Sequence, residues 1–157
     1  MSSRFLSRDL DPSAWDPVMT LNTVRKARCL FAVTEQPVTA DRSALLIEAR
    51  GVMTSDAFAD FLDSLRRAGQ LPRHALMILD SRNVVDRHTD AHAMYRQAEV
   101  LLRAGVRSLH ACDLSDGEAT RAYAVMLRDI YRHAGIRAEV RVCPSLDEAV
   151  AWLRQHA

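Results

Sequence analysis

The chain has 157 residues, of which 48% are hydrophobic and 26% charged, and its formal net charge is +1. That length supports one domain with a real core. The near-neutral charge excludes a global field that would recruit nucleic acid or an anionic membrane, and no apolar run of about 18 residues exists to span a bilayer.

The opening "MSSRFLSRDLDP" lacks the apolar centre of a secretory signal. Three cysteines, Cys29, Cys112 and Cys143, show no paired metal spacing. Together these features predict reduced thiols in a cytoplasmic protein. Residues 1–18 carry Pro12 and Pro17 without a sustained period and read as an extended arm, with Trp15 available to pin it. Residues 19–157 then form one α/β domain.

Two β-type runs come first, Arg28–Glu35 and Ser43–Gly51, joined by a polar hairpin-like connection. In the second, Leu45, Ile47 and Ala49 alternate onto one face. The period then becomes helical. Phe58, Phe61, Leu62 and Leu65 form a stripe that Thr54 or Ser55 can cap and that Gly69 and Pro72 stop. "HALMILD" is a nearly continuous apolar run, as in a strand covered on both faces. A helix is expected from about Thr89 to Ala104, with Met94, Ala98 and Leu101 inward and Gly105 as its stop.

"VRSLHAC" is the next strand, and the helix after it is the clearest in the chain. Ser115 and Glu118 form a capping-box pattern there, and Ala119, Ala122, Tyr123, Met126, Leu127 and Ile130 make a wide apolar face. Ala138, Val140 and Val142 alternate with charged residues in an edge-type strand. A last helix begins at a second capping box, Ser145 with Glu148, and buries Leu146, Ala149, Val150 and Leu153. The order β-β-α-β-α-β-α-β-α predicts an α/β sandwich with a mixed five-stranded sheet and about four helices.

Three stretches carry a family resemblance. "LLIEARGVMTSDAFADFLDSL" supplies a strand, a glycine and a helix, and "LMILDSRNVVD" a strand running into Asp80. The third runs from Ala119 to the closing S-L-x-E-A-x-x-W-L of Ser145–Leu153. In this order the series resembles the STAS/SEC14-like domains of the SpoIIAA-like, anti-sigma-factor-antagonist superfamily, over roughly Arg28 to Leu153. The resemblance implies a module without bound metal that works by protein–protein contact, and SEC14-like members suggest apolar small molecules as ligands. In the antagonists a serine at a helix N-terminus is phosphorylated, where free N–H groups and the helix dipole favour the anion. The family's D-S-S-G does not follow Asp86. Arg87 and His88 stand there instead, with Thr89 and Ser81 the nearest hydroxyls.

Candidate sites cluster at strand ends, where parallel sheets collect ligands. Asp80, Ser81, Asp86, Thr89 and Asp113 are the candidates for a ligand or a switch. Asp80 and Asp113 would hold a cation or act as acid and base if they faced one crevice; the competing reading makes them turn and cap residues. His88 and His92 have the i, i+4 spacing of a metal pair on a helix. The cap at Thr89 or Asp90, however, leaves His88 outside the helix, so a solvated helix N-terminus is expected instead. Cys112 at a strand end, with His110 two residues before it, is read as a structural thiol. No P-loop, Gly-x-Gly-x-x-Gly or Gly-x-Ser-x-Gly is present. The expectation is a non-enzymatic module without cofactor, catalytic set or metal, using a protein partner or a second copy of itself. A small-molecule or lipid binder, or weak enzyme, at the strand-end crevice is the alternative.

Overall fold

The computed structural model describes the backbone of Arg4–Phe5 and residues 29–157 apart from 116. Trp15 and all but two residues of the expected arm lie outside the described residues. Six strands are present: β1 (Arg4–Phe5), β2 (Leu30–Pro37), β3 (Ser43–Thr54), β4 (His74–His88), β5 (Ser108–Leu114) and β6 (Arg137–Cys143). Four helices accompany them: α1 (Ser55–Arg67), α2 (Ala91–Arg103), α3 (Glu118–His133) and α4 (Leu146–Arg154). The expected five-stranded mixed sheet is there, and β1 adds a two-residue edge opposite Ala32 and Val33.

The strands lie side by side in chain order. β1, β2 and β3 are antiparallel neighbours, whereas β3 through β6 are parallel. Strand alternation sends Phe31, Ile47, Met77 and Leu109 into one core with α1, α2 and α3. It sends Leu76, Ile78, Cys112 and Leu114 into a smaller core under α4. Phe31 stacks on Phe61 with ring centroids 4.6 Å apart, tying β2 to α1.

The helix ends follow sequence chemistry in three of four cases. Thr54 caps α1 by accepting the Ala57 N–H at 3.0 Å, and Asp90 caps α2 by accepting the His92 N–H at 3.1 Å. Ser145 caps α4 through the Glu148 N–H at 3.2 Å. The expected Ser115–Glu118 box is not formed. Gly117 is the N-cap of α3, without a side-chain hydrogen bond, and the Ser115 hydroxyl meets Thr120 Oγ1 at 3.0 Å.

One polar group was invisible in the sequence. Gln97 is fully buried on α2, where its amide donates to the Ser55 carbonyl at 2.9 Å and accepts the Tyr131 hydroxyl at 2.6 Å. Ser55 Oγ in turn accepts the Asp90 N–H at 3.0 Å. Three helices are thereby keyed to one another by a fully satisfied network. No helix among the described residues is long and apolar enough to cross a membrane.

Candidate functional site

Unequal strand lengths create the site. β4 and β5 pair in parallel only as far as Asp80 with Leu114. β5 ends there, and its chain turns away, with the Ser115 N–H donating to the Cys143 carbonyl at 3.0 Å. β4 runs on to His88, paired with β3 alone among the described strands. This corrects the sequence reading, in which the strand stopped at Asp80; the expected helix cap at Asp90 is formed, but residues 82–88 before it are strand. β-branched Val84 and Val85 keep the chain extended, and β3 supplies a partner as far as Thr54.

The β3–β4 ribbon is irregular. Its register shifts between Glu48 and Arg50 and again between Gly51 and Val52. At the second shift Gly51 opposes Val84 and Val52 opposes Asp86, so Val85 has no counterpart and stands 79% exposed. Gly51 has φ 93°, a left-handed conformation that glycine adopts without a Cβ clash. Between this ribbon and the first turns of α3 lies an open cleft of about 840 Å³, walled by Val84, Val85, Ala119, Ala122, Tyr123 and Met126.

The cleft floor is a closed polar group. Pairing of Leu79 with Asp113 places Ser81 and Asp113 on the same sheet face. Ser81 Oγ donates to Asp113 Oδ1 at 2.5 Å, and Arg87 Nη1 donates to Oδ2 at 3.1 Å. The Arg87 guanidinium also lies 4.5 Å from the centroid of the Tyr123 ring, a cation–π contact. Burial pushes the Asp113 carboxyl above the usual carboxylate range, while Arg87 and the Ser81 hydroxyl pull it back. Burial likewise raises the Tyr123 phenol to about 12. A carboxylate is a far weaker base than a serine alkoxide, so Asp113 orients the Ser81 hydroxyl without deprotonating it.

The expected candidates separate. Ser81, Asp86 and Thr89 line the cleft, and Asp113 lies beneath it. Asp80 does not join them. It follows Leu76 and Ile78 onto the opposite sheet face, so it shares no crevice with Asp113. There Arg82 clamps it with two hydrogen bonds of 2.9 Å and holds its carboxyl below the usual range. Asp86 is exposed and pairs with His88 Nε2 at 2.9 Å. His88 ends a strand and His92 lies in the first turn of α2, so the i, i+4 helical geometry does not arise. Ser81 is buried, whereas Thr89 is exposed just before the α2 cap.

Three expected core residues of α3 changed role. Ala119 and Ala122 are exposed and Met126 is half-buried, and all three face the cleft. The apolar face of α3 is wider than the sheet can cover, because β5 ends where the helix begins. That excess width was the sequence signal for the cleft, and it reads as core until strand lengths are known. The contact between Arg87 and Tyr123 carried no signal in the sequence, since it depends on the extension of β4.

No family model matches the sequence, and no curated protein matches it. Among solved structures, the chain is similar to an uncharacterised DUF3478-family protein with a SpoIIAA-like fold from Shewanella loihica PV-4. The TM-score is 0.53 at 14% identity, over 78% of this chain and 93% of that one. The fold is SpoIIAA-like. Within this SpoIIAA-like frame the cleft lies at the carboxyl end of β4, and the exposed Thr89 marks its rim.

Proposed function

We propose that this chain is a non-enzymatic SpoIIAA-like interaction module that receives a protein partner in the cleft between the β3–β4 ribbon and α3. The observation that carries the reading is an apolar wall left uncovered beside a polar floor that is already satisfied. Val85, Ala122 and Met126 line the opening, and the surface continues along α3 to exposed Val125 and, across from it, Tyr95. Exposed apolar side chains rimmed by polar ones, here Arg82, Asp86, Asp129 and His133, fit an interaction surface. The floor gives no support to catalysis. Asp113 accepts hydrogen bonds from both Ser81 and Arg87, and no buried side-chain polar atom among the described residues lacks a partner.

The test is capture from lysate together with light scattering, using wild type, Val85→Asp and Ala122→Arg. Both substitutions are at exposed positions, so stability should stay within about 0.5 kcal/mol of wild type. Capture or self-association should fall at least tenfold in each. A monomer without partner, or capture indifferent to both substitutions, would sink the proposal.

Regulation would act at the rim. Thr89 is the accessible hydroxyl, and Ser81 is held by Asp113. Thr89→Glu should therefore change partner binding with an unaltered melting curve, while Thr89→Ala should behave like wild type. Equal binding by all three proteins would remove Thr89 as a switch.

A second reading rests on size. About 840 Å³ is within the range of small-molecule sites. A thermal-shift screen against lipids and metabolites separates the two readings, because a ligand of the native state raises the midpoint by mass action. A rise abolished by Ala122→Arg would favour the small ligand.

A further inference from the structure

The smaller core holds a pair of thiols that the cleft does not use. Cys112 on β5 and Cys143 on β6 are 1% and 3% exposed, and their sulfur atoms lie 3.2 Å apart. A disulfide bond is about 2.05 Å long, so closure must bring the sulfurs roughly 1 Å closer, and because diagonal neighbours on adjacent strands have Cα atoms roughly 7–8 Å apart, beyond the usual disulfide span, it also draws β5 and β6 together at that point. The register explains the approach. Leu114 pairs with Cys143 and Cys112 with Arg141, so the cysteines sit diagonally on neighbouring strands with both side chains on the α4 face. Ala149 and Leu153 of the nine-residue α4 cover this core. Cys29 belongs to the other core, across the sheet.

We propose that Cys112 and Cys143 are a redox-responsive dithiol that closes to an intramolecular disulfide under a two-electron thiol oxidant, with α4 as the gate. In the reduced fold the pair is shielded from reagents, and burial holds the Cys112 thiol well above its ordinary range. Reaction therefore waits on local opening of α4, the kind of sub-global event that exposes a short, one-sided cover. With a diazenedicarboxamide as oxidant, one sulfur adds to the N=N bond. The second sulfur then displaces it to form the S–S bond. Two S–H bonds are broken, and two electrons and two protons leave with the hydrazine product. The bond would fasten β5 to β6 beneath α4.

The experiment treats the folded full chain with that oxidant, quenches in acid, and counts alkylatable thiols by mass spectrometry in denaturant. Before oxidation all three cysteines should be alkylated. Afterwards only Cys29 should be, with a Cys112–Cys143 linked peptide in the digest. Low urea and Leu153→Ala should each accelerate closure several-fold, and Cys112→Ser and Cys143→Ser should each abolish it. Oxidation of the fully denatured chain supplies the unbiased distribution of pairings. A native product with that same distribution, intermolecular disulfides alone, or three reactive thiols even in low urea would overturn the proposal.

Discussion

Arg87→Ala is expected to destabilise the fold by about 3 kcal/mol at neutral pH, the range seen when one partner of a buried ion pair is removed. The Arg87 side chain is 17% exposed and that of Asp113 is 4% exposed, so truncation leaves a carboxylate in the sheet with only the Ser81 hydroxyl to satisfy it. The pH dependence identifies the cause. In the wild type, burial already raises the Asp113 carboxyl above the ordinary carboxylate value of 3.8, and Arg87 opposes that rise. Without Arg87 the native-state value climbs further. A raised native-state pKa means that the folded form prefers the protonated acid. Its stabilising contribution is complete below 3.8 and is lost as pH rises through the native value. The Arg87→Ala deficit should therefore be largest at pH 7 and above, and should shrink as pH falls through the window above 3.8. Urea melts at several pH values check this. Asp113→Asn in the Arg87→Ala background should recover much of the loss, and the double-mutant cycle should show strong coupling. A deficit constant with pH would assign the role of Arg87 to packing on Tyr123 instead.

Gln97→Ala should be about equally damaging, near 3 kcal/mol, for a different reason. It strands the Tyr131 hydroxyl without a partner inside a full core, a loss of about 1–3 kcal/mol, removes the second donor to the Ser55 carbonyl, and leaves a cavity where the amide stood. Pairing it with Tyr131→Phe should relieve part of the penalty, because the orphaned hydroxyl is then gone. The coupling should appear in chemical-denaturation midpoints with an unchanged denaturant slope, the mark of altered stability rather than altered compactness. If Gln97→Ala alone proved neutral, the network would not key the three helices together.

Much of this fold was legible because it is locally consistent. Phe58, Phe61, Leu62 and Leu65 repeat at the helical period and are all buried; Leu45, Ile47 and Ala49 alternate and are all buried. Thr54 and Ser145 cap the helices they precede. What escaped was set by distant partners. "RNVVDRH" has no strict alternation, and it is a strand because β3 remains extended beside it to Thr54. Ala119 and Ala122 match the core period yet are exposed, and Met126 packs on the core only in part. Asp80 and Asp113 each end an apolar run, and only the pairing register shows that they face opposite sides. Gln97 is polar at a buried helical position, which periodicity reads as surface. Local pattern thus located the elements, while the site depended on relative strand lengths.

The side-by-side order of the strands bears on how the chain assembles. Each new strand joins the one made immediately before it, so no strand has to be inserted between two others. Sheet growth can keep pace with synthesis, using connections that remain fairly local. The covering of the two faces is less even. α1, α2 and α3 close their side as they emerge, but Leu76, Ile78 and Leu114 wait for α4. A nascent chain is therefore expected to expose one apolar sheet face until its last helix docks, and that interval is when it would most need a chaperone.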